Sequence, residues 1–90
     1  MKPTKISQQK EQYILTVLGR IFREVFDNDS MEITYETSTN IIDDWDSVNH
    51  VKLVLSIEEE LDIRFDTGDI SYVTTIRKFV EVINRLQMEQ

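Results

Sequence analysis

Apolar residues recur along this chain at helical spacing in three places and lose that spacing between the first two. From Ser7 to about Phe26, Ile14, Val17, Leu18, Ile21, Phe22 and Val25 stand three or four apart and share one helical face. Ser7 can cap this helix, and residues 1–6, which include Pro3, are expected to fray. Gly19 inside it costs up to about 1 kcal/mol relative to alanine and suggests a close helix contact. The strongest helical stretch follows the Asp43-Asp44-Trp45-Asp46-Ser47 run, where either Asp46 or Ser47 suits an N-cap. Wound at 100° per residue, His50, Leu53, Val54, Ile57 and Leu61 form its core face. Val48, Val51 and Leu55 form a second apolar stripe, bordered by Lys52, Glu58 and Glu59. A helix on the outside of a small domain needs only one apolar face. The second stripe is therefore either covered by another part of the chain or reserved for a partner.

Between these helices, residues 27–46 have no helical period. Met31, Ile33 and Tyr35 alternate as in a strand, but no second strand is available to pair with them, so the segment is expected to be an extended loop. Connections of this length in small domains are uncommon and often functional. Ile41, Ile42 and Trp45 are expected to pin it to the helices, with Trp45 buried for the apolar area its indole gains or, alternatively, exposed as a recognition residue. Beyond the central helix, Asp66 or Thr67 can cap one short helical turn ending near Ser71. Thr74 or Thr75 then caps a last helix with Ile76, Phe79, Val80, Ile83 and Leu86 on one face, and residues 88–90 should fray. The expected fold is all-α: a small antiparallel bundle of three main helices and one short one, with a long first loop. Residues 1–90 form a single domain whose core lies at about 7–86.

The composition narrows the chemistry. Ninety residues hold one core but little depth for a walled catalytic cleft. The absence of cysteine excludes disulfides, thiolate metal sites and thiol nucleophiles. No apolar run at the N-terminus resembles a signal peptide and none approaches membrane-spanning length, so a cytoplasmic protein is expected. The net charge is −7, and residues 43–69 account for all of it, with nine carboxylates against Lys52 and Arg64. Such a field repels nucleic acid and anionic membrane and attracts a basic protein surface. A charge run is commonly a solvated face, but confinement to one segment points towards a partner.

Ser47 is the candidate site. At the start of the central helix, unpaired N–H groups and the helix dipole favour an anion attached to its hydroxyl, although capping alone would also explain a serine there. Ser30 lies in a similar Asp29-Ser30-Met31 triplet but precedes no amphipathic helix, and is set aside. Asp46, Ser47 and His50 superficially suggest a hydrolase, yet the chain lacks the Gly-x-Ser-x-Gly context of a nucleophile elbow and any evident oxyanion hole. Asp43, Asp44 and Asp46 lack the central glycine and closing glutamate of a calcium loop, and no glycine-rich phosphate loop is present. No catalytic or metal site is therefore expected.

Asp46-Ser47-Val48, followed by a helix ending in Glu58-Glu59-Glu60-Leu61, resembles the acyl carrier protein family. The long preceding loop and the Val73-Thr74-Thr75-Ile76 approach to the last helix extend the resemblance over about residues 7–86. Trp45 before the Asp-Ser pair is similar to stand-alone carriers of specialised pathways. The resemblance implies a carrier, not an enzyme, with 4′-phosphopantetheine on Ser47 and thioester-bound acyl intermediates of a fatty-acid, polyketide or related pathway. It also implies that a phosphopantetheinyl transferase and acyl-activating and acyl-transferring enzymes read Asp46 and the helix after it. Val48, Val51, Leu55, Glu58 and Glu59 are then the expected contacts on a monomeric carrier. The competing expectation is an unmodified acidic helical adaptor that docks a basic partner through the same face.

Overall fold

The computed structural model describes residues 4–88, with side chains described from residue 9. Its helices are α1 (Thr4–Val25), α2 (Ser47–Leu61), α3 (Thr67–Tyr72) and α4 (Ile76–Met88). The described residues contain no strand and one isolated antiparallel bridge, between Ser38 and Thr75. This is the expected helical bundle of three main elements and a short one.

Two ends differ from expectation. Ser7 lies inside α1, and residues 4–6 are helical where fraying was expected. The run Gln8-Gln9-Lys10-Glu11-Gln12 consists of good helix formers, and a serine inside such a run costs only about half a kcal/mol. Met1, Lys2 and Pro3 lie outside the described residues. At the other end Met88 is still helical, and the fraying expected of Glu89 and Gln90 also lies outside them.

The core is one cluster. Ile14, Val17, Leu18, Ile21 and Phe22 of α1 meet Leu53, Val54 and Ile57 of α2 and Ile76, Phe79, Val80, Val82 and Ile83 of α4. Helix α1 packs against both α2 and α4. Val82 lies off the stripe read from spacing, yet it is buried as well. Gly19 is not a helix–helix contact. A Cβ there would stand 3.3 Å from Nη1 of Arg23 in the same helix, and that nitrogen donates to the Met31 carbonyl, also at 3.3 Å. The missing side chain makes room for an arginine that holds the start of the loop.

The loop lies along the bundle with half-buried Met31, Ile33 and Tyr35 alternating with exposed Glu32, Thr34 and Glu36. Tyr35 donates its hydroxyl proton to Oε1 of Glu11 at 3.1 Å. Burial first, and then that carboxylate, push the phenol above its ordinary pKa. Ile42 packs on the core, but Ile41 is 65 % exposed and pins nothing. Both amides donate to the Ser38 carbonyl, so the chain turns here and adjacent side chains diverge.

The loop also completes α4. The first N–H groups of any helix lack intrahelical acceptors. Here the N–H of Ile76 donates to the Thr37 carbonyl at 2.9 Å and that of Arg77 to the Tyr35 carbonyl at 3.0 Å. Oγ1 of Thr75 accepts from Lys78 N–H, which settles Thr75 over Thr74 as the capping side chain. At the start of α3, Asp66 and Asp69 form a reciprocal capping box, and Oδ1 of Asp69 also accepts from Arg85 at 2.7 Å. Asp62 closes α2 in the left-handed region, with φ 56°.

Candidate functional site at the start of the second helix

Asp46, not Ser47, caps α2. Its backbone is extended and its Oδ1 accepts from Asn49 N–H at 2.9 Å, while Asn49 Nδ2 donates to the Asp44 carbonyl at 2.8 Å. Ser47 is therefore released from the capping role, and it is exposed as the first residue of the helix. The backbone N–H groups of Ser47 and Val48 have no hydrogen-bond partner among the described residues. Two open donors and a positive dipole end thus lie beside an accessible hydroxyl.

Beneath Ser47 the site is sealed. Trp45 is 5 % exposed, stacks on Phe79 with ring centroids 6.2 Å apart, and meets the edge of Phe22 at 5.1 Å. Indole N–H can only donate, so the 2.9 Å contact from Trp45 Nε1 makes His50 Nδ1 an acceptor. His50 Nε2 then carries the proton and donates to the Ile70 carbonyl at 2.8 Å. The imidazole is neutral, with both nitrogens engaged, and it joins the loop, α2 and α3. Neither nitrogen is hydrogen-bonded to Ser47, and the Asp46 carboxylate is occupied by the cap. A general base for Ser47 is missing from this arrangement. Among the described residues no group of three or more His, Cys, Asp or Glu is placed to hold a metal ion.

Ser47 stands on the rim of a groove of about 300 Å³ lined by Thr39, Trp45, Asp46, His50, Ser71 and Thr74. Spacing gives no hint that Thr39 lies beside Ser71 and Thr74, because only the fold brings the first loop against the end of α3 and its link to α4. The Thr39 N–H bond to the Thr74 carbonyl, at 3.1 Å, holds two of these walls in register.

The second stripe of α2 is uncovered: Val48, Val51 and Leu55 are 64 %, 51 % and 58 % exposed. Glu59 beside it is exposed, whereas Oε2 of Glu58 accepts from Phe65 N–H at 2.8 Å and ties α2 to the following turn. The acidic run is thus partly internal wiring. Glu60 pairs with Arg20 of α1 at 2.8 Å, Asp69 with Arg85, and Asp46 and Asp66 are caps. No helix among the described residues is long and apolar enough to cross a membrane.

No family model and no curated protein matches this chain. Among solved structures, it is similar to the solution structure of a holo acyl carrier protein from Geobacter metallireducens, with a TM-score of 0.76 and 36 % sequence identity. The match covers 83 % of this chain and 86 % of that one.

Proposed function

Because the chain belongs to the acyl carrier protein family, we propose that Ser47 is its attachment site for 4′-phosphopantetheine. Members of this family carry acyl groups and do not transform them, so the protein is a carrier and not an enzyme. The observation that supports Ser47 is the division of labour at the start of α2. Asp46 makes the cap, which leaves an exposed hydroxyl beside two open N–H donors. An anionic phosphodiester on Ser47 Oγ suits that environment. Once attached, the prosthetic group supplies the thiol that holds cargo as a thioester. The residues of this chain supply the rest: a rigid origin for the arm, and a face for the enzymes that load and unload it.

That face is the exposed Val48–Val51–Leu55 stripe, with Glu59 beside it and Glu58 shared with the Phe65 amide. Partners of this kind are a phosphopantetheinyl transferase and the acyl-activating and acyl-transferring enzymes of a fatty-acid, polyketide or related pathway. In this reading the carrier is a cytoplasmic monomer. The test is intact-protein mass after incubation with coenzyme A and a broad-range phosphopantetheinyl transferase. The wild type should gain one phosphopantetheine, Ser47→Ala none, and Ser30→Ala as much as wild type. Modification of Ser47→Ala would move the site, and an unmodified wild type would favour the adaptor that docks partners without a prosthetic arm.

A further inference from the structure

Lys52 is a cation that the fold leaves unanswered. Arg20, Arg77 and Arg85 pair with carboxylates, Arg23 holds the Met31 carbonyl, and Lys78 lies over the Tyr72 ring. Lys52 and Arg64, the two bases of residues 43–69, are exposed, and neither side chain has a hydrogen bond, ion pair or ring contact among the described residues. Arg64 shares a groove with Leu55, Glu58, Glu59 and Asp62, so carboxylates surround it. Lys52 has no such company on its own helix. The residues three and four positions away are Val48, Asn49, Leu55 and Ser56, all uncharged. That spacing sets Lys52 beside Val48 and Leu55, both more than half exposed. An enzyme that covers those two side chains also covers the stem of Lys52. Glu59 stands on the same edge of the stripe, seven residues and about 10 Å further along α2.

We propose that Lys52 is the specificity-determining residue of this face: it selects enzymes whose docking surface sets a carboxylate opposite it, and rejects those whose surface is uniformly basic. The inference rests on the Val48–Val51–Leu55 stripe being the face for loading and unloading enzymes, and it names the chemistry of those partners. The net charge of −7 draws basic surfaces from a distance, where Lys52 is one charge among many. On contact the pairing is local. A basic group that meets Glu59 is attracted, whereas one placed two turns closer to Ser47 meets an ammonium with no partner of its own. Like charges under a covering surface are poorly screened, and an uncompensated charge is costly to bury. A carboxylate at that point removes both penalties. The complementary surface thus has an apolar hollow for Val48, Val51 and Leu55 and, along one side, an acid and a base about 10 Å apart. This polarity also fixes the direction of docking. Turned end for end along α2, the partner's acid meets Glu59 and its base meets Lys52.

The experiment measures kcat/KM for transfer of phosphopantetheine to Ser47, followed by intact mass, with a transferase whose carrier-binding surface is uniformly basic. At low salt Lys52→Glu should raise kcat/KM about ten-fold and Lys52→Gln about three-fold, and high salt should shrink both gains. Lys10→Glu makes the same change in net charge on α1 and should alter kcat/KM by less than about two-fold. The carrier-facing Arg and Lys residues of the transferase are then changed to Glu one at a time. One of these variants should reverse the order and favour the wild-type carrier over Lys52→Glu by about ten-fold. Equal rates for wild type and Lys52→Glu with the parent transferase would overturn the inference. So would a gain in Lys10→Glu as large as that in Lys52→Glu, or a full set of transferase variants in which none reverses the preference. A wild type that takes up no phosphopantetheine would instead overturn the assignment of Ser47, and this inference with it.

Discussion

His50 shows how much one side chain can organise. It accepts from the Trp45 indole and donates to the Ile70 carbonyl, so it ties the residues before Ser47 to the short helix across the groove. Replacing it with Phe preserves bulk and strands one buried donor and one carbonyl. The expected loss of stability is about 1–3 kcal/mol, read by urea denaturation followed in far-UV circular dichroism. A change below about 0.5 kcal/mol would mean that water replaces both bonds. Sequence spacing placed His50 on the core face of α2, and it lies there half-buried. Its two partners were not legible, because one lies five residues back in a non-periodic loop and the other twenty residues ahead. The division between Asp46 as cap and Ser47 as free hydroxyl was open for a similar reason. Both residue types cap well, and only backbone geometry separates them.

At the scale of the element, α2 has two apolar stripes with opposite fates. Leu53 and Ile57 are fully buried, and truncating either to Ala should cost about 2–5 kcal/mol, since neighbours fill the cavity only in part. Val51 and Leu55 are more than half exposed, so Val51→Ala or Leu55→Ala should stay within about 1 kcal/mol of wild type. Denaturant melts of the four variants check this, and equal large losses on both faces would rule out a free docking stripe. The periodicity of α1, α2 and α4 was legible because each buries one stripe against the others. The start of α1 was less so, since a serine inside a run of helix formers reads as a boundary. Ile41 misled because adjacent isoleucines look equivalent in sequence, while a turn admits only one of them to the core.

On the scale of the whole molecule, charge is sorted as well as concentrated. Four of the nine carboxylates in residues 43–69 serve as caps or pair with arginines, and Glu58 holds the Phe65 amide. Glu59 is exposed beside the apolar stripe, so it should carry more of the steering than Glu58. Glu59→Gln should slow association with a phosphopantetheinyl transferase and flatten its dependence on salt, as stopped-flow measurements across ionic strength would show. Association indifferent to salt would remove the charge argument. The way the loop is held has a further consequence, for the chain as it is made. The backbone acceptors that terminate α4 are the Tyr35 and Thr37 carbonyls, and the Thr74 carbonyl in turn holds Thr39. The Tyr35 and Thr37 carbonyls and the Thr39 N–H thus meet these partners only when residues 74–77 are present. During N-to-C synthesis the serine helix is written long before the frame around it can close. The order in which this protein is made is not the order in which its site is finished.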